Sequence, residues 1–234
     1  ALAFLKNEKC IEVQGGDLIG RISYRFTLTE LGRRRAAEAF KMCAYVGPAP
    51  VPLEDYVEQT YRQAVTGLGC SPETLRGHFS HLVLKDDLFN AIGPAIISGK
   101  SVFIYGPPGN GKTAMARAIG EFMNQTGGGI YVPYSFLAEG SIVTVYDPSV
   151  HQPDENQDHS FIDPDSSVKR LLNTGAVDPR WVRIRRPVIV TGGELTLEMM
   201  DLKYNSESKF YQAPIHFKAN GGVYYRYPVV GSNP

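Results

Sequence analysis

The sequence lacks the features that mark several specialised classes of protein. Lys and Arg together number 24 among the 234 residues, as do Asp and Glu, so the formal net charge is zero. A chain without excess positive charge has no overall electrostatic attraction for nucleic acid or for an anionic membrane. No apolar run approaches the roughly 20 residues that a transmembrane helix needs. We therefore expect a soluble globular protein without a membrane span.

Cysteine is also scarce. Cys10, Cys43 and Cys70 are odd in number and widely spaced, and they form no CxxC pair or metal-ligand pattern. This favours reduced thiols and a cytoplasmic location. The apolar start, Ala1–Phe4, is followed at once by charged residues, which excludes a signal peptide. Because an initiator Met is missing, we expect a fragment or a processed form.

Residues 1–43 predict a small α+β module. The alternation around Ile11 and again from Ile22 to Leu28, on either side of a Gly-Gly turn, is typical of a β-hairpin. Thr29 is placed to cap a helix that begins at Glu30. The apolar positions of that helix form a single stripe at Ala36, Ala39, Phe40 and Cys43.

The segment YRFTLTELGRRRA resembles the final part of a winged-helix domain. Many such domains bind DNA through a recognition helix, but that helix would precede Ala1, so no DNA-contacting residue is predicted. Two interpretations stay open, a packing or docking module with Arg33–Arg35 as a solvated face, and a partial DNA-binding module. Residues 44–70 follow as a linker and helix, of which the proline-rich part YVGPAPVPL is an extended connector.

Residues 71–234 contain the most specific motif of the chain. The run Gly106-Pro107-Pro108-Gly109-Asn110-Gly111-Lys112-Thr113 matches G-x-x-x-x-G-K-[ST] at every fixed position. The β-branched and aromatic run Ser101–Tyr105 predicts a buried strand before it. Helical spacing after it predicts a helix that begins at the Lys-Thr pair. The apolar residues of that helix are Met115, Ala118, Ile119, Phe122 and Met123.

The residue types of this loop suit the binding of phosphate. Glycines at 106, 109 and 111 permit positive φ and a close approach of main-chain N–H groups to an anion. The helix N-terminus adds further donors and a partial positive charge. We expect residues 106–114, Ala114 included, to bind ATP. Lys112 would contact the β- and γ-phosphates and Thr113 would coordinate Mg²⁺, so these two are the predicted catalytic residues and Thr113 the metal ligand.

The loop GPPGNGKT, the preceding GPAIISGK helix and the strand between them resemble the AAA+ ATPase family. YVGPAPVPLEDY, YVPYSFLAEGSIVTVYDPSVH and RRPVIVTGGELTLEMMDLKYN resemble the bacterial AAA+ proteins described as predicted ATPases with chaperone activity associated with pilus assembly. The resemblance implies an α/β P-loop NTPase domain with a parallel sheet flanked by helices. It also implies a homo-oligomeric ring, often a hexamer, that acts on a macromolecular partner. Residues 81–83 would then line the adenine.

One element of an AAA+ ATPase is missing. The resemblance puts the Walker B strand, which ends in Asp-Glu, at Val223, where Asp would hold Mg²⁺ and Glu would polarise water. The sequence continues instead as YYRYP, and the sensor residues, arginine finger and helical lid are absent too. We therefore expect a domain that is truncated at Pro234 or differs there. ATP hydrolysis coupled to remodelling is the first hypothesis, and a nucleotide-binding switch or adaptor without hydrolysis is the alternative. A P-loop kinase and a DNA-binding ATPase are further candidates.

Three other groups of polar residues contain candidate ligands for a metal ion or a phosphate. Asp147 and Glu194 follow strands and could approach Mg²⁺, but we interpret them as a turn acid and a helix-start acid. His151 and His159 flank acids in HQPDENQDH, which resembles a metal cluster, although a mobile surface loop fits the pattern better. Three arginines that precede the strand at Val188 could reach a phosphate, but we interpret them as a solvated strand end. They are Arg183, Arg185 and Arg186.

Overall fold

The computed structural model describes residues 2–14, 25–100, 102, 104, 109–154, 178–192 and 195–226. Its helices are α1 (Leu2–Asn7), α2 (Glu30–Met42), α3 (Leu53–Arg62), α4 (Pro72–Phe79), α5 (Asp86–Ile97), α6 (Lys112–Gly127) and α7 (Ile215–Lys218). Its strands are β1 (Ile11–Gln14), β2 (Arg25–Leu28), β3 (Val51–Pro52), β4 (Ile130–Pro133), β5 (Ser135–Ala138), β6 (Ser141–Thr144), β7 (Trp181–Ile184), β8 (Val188–Thr191), β9 (Lys203–Asn205), β10 (Phe210–Gln212) and β11 (Val223–Arg226).

The chain divides into two compact units. Residues 1–46 with 205–210 form the first, and residues 47–204 with 211–234 form the second. The predicted three-part division, with limits at residues 43 and 70, stays a prediction. None of the helices in the described part of the chain has the length and hydropathy that crossing a lipid bilayer requires.

The first unit contains the predicted hairpin and helix. Strands β1 and β2 pair antiparallel from Ile11 opposite Leu28 to Gln14 opposite Arg25. The Thr29 hydroxyl accepts a hydrogen bond from the main-chain N–H of Gly32 at 3.0 Å, which confirms the predicted cap of α2. The Gly-Gly turn of the hairpin lies outside the described residues.

Helix α2 contacts the hairpin through a glycine and not through the predicted apolar stripe. Gly32 is its buried residue, and a Cβ there would lie 2.0 Å from the carbonyl oxygen of Cys10. Phe40, which belongs to the stripe, is 52% exposed, and Met42 beside it is 78% exposed. Within the described residues of this unit, the stripe is therefore not buried.

The largest sheet is mixed. Its strand order is β3-β5-β6-β10-β9, with parallel pairs β3–β5 and β6–β10 and an antiparallel pair β5–β6. The fold class α/β is confirmed, whereas the prediction of a parallel sheet is wrong for this sheet. The reason is the two-residue turn at Glu139 and Gly140, whose φ angles of 49° and 78° suit a tight hairpin of antiparallel strands. Two smaller sheets accompany it, the parallel pair β8–β11 and the antiparallel pair β4–β7.

Two hydrophobic clusters lie in the second unit. The first joins the sheets and contains Val51, Tyr56, Ile130, Val132, Phe136, Val143, Val145, Ile184 and Ala213. The second joins α4, α5 and α6 and contains Leu75, Phe79, Phe89, Ile92, Ile96, Met115, Ala118, Phe122 and Met123. The predicted apolar face of α6 is therefore confirmed, because four of its five residues belong to the second cluster and Ile119 packs against it.

Helix α6 lies on the parallel pair β8–β11, and a glycine allows the close approach. A Cβ at Gly120 would lie only 2.1 Å from a methyl carbon of Val188 in β8. Such a distance requires the helix or the strand to move.

We predict that Gly120→Ala lowers the free energy of unfolding by roughly 1–3 kcal/mol, because it overpacks the contact between α6 and β8. Gly77→Ala in α4 is the matched control, since a Cβ there would meet no atom within 4 Å. It should raise stability by about 0.5–1 kcal/mol, because alanine favours the helix interior. Urea unfolding followed by circular dichroism measures both. Equal effects of the two variants would contradict the packing argument.

Candidate phosphate-binding site

The second half of the predicted phosphate loop turns directly into α6. Gly109 and Gly111 have φ angles of 84° and 70°, in the left-handed region that favours glycine. Gly111 is the N-cap of α6, and Lys112 and Thr113 form its first turn. The predicted positive φ is confirmed at both glycines, and so is the predicted start of the helix. Gly106, Pro107 and Pro108 lie outside the described residues.

The strand predicted before the loop is described only at two positions. Val102 is 52% exposed and belongs to no strand. Ile104 is half-buried and packs against the cluster of α4, α5 and α6. The prediction of a buried strand is therefore wrong at Val102, and its remaining residues, Ser101, Phe103 and Tyr105, lie outside the described part.

The N-terminus of α6 differs from those of the other long helices. Helices α2 and α4 begin with Thr29 and Ser71, whose hydroxyls accept main-chain N–H groups, and each has a glutamate in its first turn. Helices α3 and α5 have two acidic residues each in the first turn. Helix α6 has neither a capping side chain nor an acidic residue there. Among the described helices of eight or more residues, α6 is thus the one whose positive end has no side-chain cap and no acidic residue in its first turn.

The described part of the loop surface beside this helix end is accessible. Among the described residues, no heavy atom lies within 4 Å of a Cβ built at Gly109 or at Gly111, so the positive φ is what favours glycine there. Asn110 between them is exposed, and Lys112, Thr113 and Ala114 are half-buried. An anion can therefore approach the main chain from this side. In the segment that the AAA+ resemblance assigns to adenine, Val83 is fully exposed.

Asp147 is a turn acid, as predicted, and its carboxylate is fully engaged. Its Oδ1 accepts from the N–H and hydroxyl of Ser149, and its Oδ2 accepts from Nζ of Lys218 at 2.6 Å. Burial alone would raise the pKa of Asp147, but these hydrogen bonds and the Lys218 charge lower it to about 2. Both oxygens have protein partners, so Asp147 is not available as a simple Mg²⁺ ligand.

His151 is a buried structural residue and not part of a surface loop. It is 1% exposed, its Nδ1 accepts the N–H of Asp147 at 3.0 Å, and its Nε2 lies 2.8 Å from the carbonyl oxygen of Lys218. Because Nδ1 is an acceptor, Nε2 must carry the proton and donate, which defines a neutral imidazole. Burial lowers the pKa of His151 accordingly. Both ring nitrogens are used, so His151 has none left for a metal.

The chain after His151 is also held in place. The N–H of Asp154 donates to the carbonyl of Arg183, and the carboxylate of Asp154 pairs with the Arg183 guanidinium at 3.1 Å. The interpretation of HQPDENQDH as a mobile loop is therefore wrong at residues 151–154. Glu155, Asp158 and His159 lie outside the described residues. Within the described ranges, no group of three His, Cys, Asp or Glu side chains could hold a metal ion.

The arginines before β8 are not a uniformly solvated strand end. Arg185 is exposed, as predicted, but Arg186 is 4% exposed. Nη1 of Arg186 donates to the carbonyl oxygens of Gln63 at 3.0 Å and Gly221 at 2.7 Å. Burial lowers the pKa of Arg186 to about 10, so it remains charged at neutral pH. No ion pair joins it to a carboxylate among the described residues. No periodic pattern predicts this burial, because the partners of Arg186 are distant in the chain.

The strand that the AAA+ resemblance assigns to Walker B is present as β11, beside β8. Its described residues are Val223–Arg226, of which Arg226 is exposed, and neither they nor the YPVVGSNP that follows in the sequence include an acidic residue. Glu194, the other candidate acid after a strand, lies outside the described residues. The segment after it forms a short 3-10 helix at Leu197–Met200. No acid of the described chain therefore occupies the end of β11.

We predict that stability falls at acidic pH through His151 and Asp147. Both groups have a folded-state pKa below the unfolded value, so the unfolded chain binds more protons and stability is lost as pH falls. The low pKa of His151 makes stability fall as the pH drops below about 6.5. The low pKa of Asp147 contributes about 2 kcal/mol to the free energy of unfolding, which is lost as the pH falls from about 4 to about 2. His151→Gln should flatten the loss between pH 7 and pH 5, measured by urea unfolding. His81→Gln, at an exposed site, should keep the wild-type slope, and an unchanged slope in His151→Gln would refute the assignment.

We predict that Arg186→Met lowers the free energy of unfolding by roughly 2–5 kcal/mol, because it leaves the carbonyls of two half-buried residues, Gln63 and Gly221, without this donor. Arg185→Met is the matched control and should change stability by no more than about 0.5 kcal/mol, because Arg185 is exposed. Thermal and urea unfolding at pH 7 measure both variants. If Arg186→Met and Arg185→Met were equally stable, the contacts of the buried Arg186 would contribute nothing to the free energy of unfolding.

Comparisons with known proteins assign no family to this chain. No protein-family model matches it, and no curated protein matches it. The AAA+ resemblance therefore stays a prediction that depends on the phosphate loop and the segments around it.

Proposed function

We propose that the chain binds ATP with Mg²⁺ at residues 106–114, as part of an AAA+ type P-loop NTPase domain. The observation that carries the proposal is the start of α6. There, a glycine loop with positive φ leads into a long helix whose N-terminus has no capping side chain and no acid. Such a helix end attracts a phosphate, and the sequence of the loop matches the one that binds it.

Each residue type has a role in this proposal. The N–H groups of the loop and the first helical turn would bind the phosphate oxygens, and open space beside Gly109 and Gly111 gives those oxygens access. Lys112 would place its ammonium group beside the β- and γ-phosphates, and the Thr113 hydroxyl would hold Mg²⁺. When bound, the metal ion would neutralise charge on the terminal phosphates.

The surroundings of α6 support an α/β nucleotide-binding domain. The helix lies on the parallel pair β8–β11, and its other side packs with α4 and α5. This arrangement suits a helix that follows a phosphate loop in a layered α/β protein. The proposal extends to a cytoplasmic homo-oligomeric ring that uses ATP to act on a macromolecular partner, in accordance with the AAA+ resemblance.

A second candidate function is a nucleotide-binding switch or adaptor that does not hydrolyse ATP. The observation that favours it is the sequence of β11 and of the residues after it, 223–234, which contains no acid where an ATPase of this family would have its acidic pair. Asp147 does not replace that pair, because Lys218 and Ser149 engage both its oxygens. ATP would then act by binding, and its release would reset the protein.

We predict that Lys112→Ala weakens the binding of a fluorescent ATP analogue with Mg²⁺ at least tenfold, because a charge-assisted hydrogen bond to phosphate is lost. Lys100→Ala is the control, since Lys100 is an exposed lysine that lies before the motif in the sequence. It should bind as the wild type does. Affinity that is unchanged in Lys112→Ala would overturn the proposed site.

The same samples separate the two candidate functions. Release of inorganic phosphate by the wild type, absent in Lys112→Ala, would favour the ATPase. Tight binding without phosphate release would favour the switch. Circular dichroism of both variants must match the wild type, so that loss of binding is not loss of folding.

A further inference from the structure

The phosphate loop contains one of the two Asn-Gly pairs of the chain. This pair is Asn110-Gly111, and the other is Asn220-Gly221. Asparagine is among the chemically labile residues of proteins. A glycine after it has no Cβ to shield its main-chain nitrogen, so that nitrogen can approach the asparagine side chain. The two pairs differ in how far their surroundings permit this approach.

The pair in the loop is unrestrained by its described neighbours. Asn110 and Gly111 are both exposed, and a Cβ built at Gly111 would meet no heavy atom of the described residues within 4 Å. Among those residues, no hydrogen bond holds the side chain of Asn110 or the N–H of Gly111. Gly111 is the N-cap of α6, and the N–H of an N-cap residue takes no part in the helical hydrogen bonds.

The second pair is held by its surroundings, although Asn220 is exposed as well. Its Nδ2 donates to the hydroxyl of Tyr56 at 3.2 Å. The carbonyl of Gly221 accepts from Nη1 of Arg186 at 2.7 Å, and a Cβ at Gly221 would lie 2.9 Å from a methyl carbon of Ile130. The Asn220 amide would therefore have to leave Tyr56, and the chain at Gly221 would have to shift, before the Gly221 nitrogen could attack.

We propose that Asn110 is a site of spontaneous deamidation. The Gly111 nitrogen gives its proton to hydroxide and attacks Cγ of Asn110, and the Cγ–Nδ2 bond breaks as ammonia leaves with a proton from water. Water then hydrolyses the resulting succinimide at one of its carbonyls, which produces aspartate or isoaspartate at position 110. Both products carry a carboxylate, so the loop gains a negative charge next to the N-cap of α6.

The effect of this charge on ATP rests on the proposed function. A carboxylate is favourable at the positive end of a helix, and it repels a phosphate that would bind at the same end. In the proposed complex, the N–H of Gly111 would donate to a phosphate oxygen, and deamidation requires this same nitrogen. Bound ATP should therefore protect Asn110, whereas a chain without ATP should gradually lose its ability to bind the nucleotide.

Peptide mass spectrometry of the full chain, incubated without nucleotide at mildly alkaline pH, tests the modification by itself. Asn110 should deamidate at least about tenfold faster than Asn220, because breaking a restraining hydrogen bond costs about that factor in rate. In urea the two pairs should react at similar rates, so the difference measures the fold. Tyr56→Phe removes the acceptor of the Asn220 amide and should accelerate the reaction at Asn220 alone. Equal rates in the folded wild type, or acceleration at both sites in Tyr56→Phe, would overturn the proposal.

Two variants of Asn110 test the consequence for the nucleotide. Asn110→Asp carries the charge of the product, and Asn110→Gln keeps an uncharged amide that forms a cyclic imide more slowly. Asn110→Asp should bind the fluorescent ATP analogue with Mg²⁺ at least about tenfold more weakly than Asn110→Gln, because it brings like charges together. ATP with Mg²⁺ should also slow the deamidation of the wild type.

The outcomes separate this inference from the proposed function. Equal affinities of Asn110→Asp and Asn110→Gln, or no protection by ATP that the wild type does bind, would overturn the link between deamidation and the nucleotide. If the wild type bound no ATP, the proposed function would fail, whereas faster reaction at Asn110 than at Asn220 would still support the modification site.

Discussion

The guanidinium of Arg186 connects three parts of the second unit that are far apart in sequence. Its Nη1 bonds the carbonyls of Gln63, after α3, and Gly221, before β11, while its main-chain N–H and C=O pair with the side chain of Asn124 in α6. Asn124 belongs to the last turn of α6, where the helix dipole is negative and a cation is favourable. Helix α6 runs from Lys112, where the glycine loop ends, to this anchored last turn. The proposed phosphate site and the contact with Arg186 therefore lie at opposite ends of one helix, about a dozen residues apart.

A side-chain amide extends the same connection to the sheets. Gln63 donates through Nε2 to the carbonyl of Tyr131 and accepts the Tyr131 N–H through Oε1, at 2.8 and 2.9 Å. This pair of bonds copies the pairing of a neighbouring strand along the edge of β4. The carbonyl of Gln63 meanwhile accepts from Arg186. One glutamine and one arginine therefore join the cluster of α4, α5 and α6 to the cluster of the sheets, by polar contacts that leave each apolar cluster intact.

The sequence predicts correctly those structural features that depend on residues close together in the chain. Thr29 as an N-cap, the hairpin of β1 and β2 and the start of α6 after Gly111 each depend on residues within a few positions of one another. The mixed sheet was missed because the turn at Glu139 and Gly140 lacks the usual Asn-Gly or Asp-Gly pair. The burial of Arg186 and of His151 could not be predicted, because their partners, such as Gly221 and Lys218, come from distant segments.

The binding of a nucleotide and its hydrolysis make different demands on this chain. Binding requires main-chain donors, the positive end of a helix dipole and a lysine, and the proposed site would take all three from residues 109–113. Hydrolysis further requires a carboxylate free to hold the metal ion or to orient water. Asp147 has the low pKa of an ionised acid, but Lys218 and Ser149 use that charge to fix a turn. To bind a metal ion, this carboxylate would have to give up one or more of its three hydrogen bonds, two from Ser149 and one from Lys218. The two candidate functions thus share the first demand and differ in the second, for which Asp147 would have to leave its partners Lys218 and Ser149.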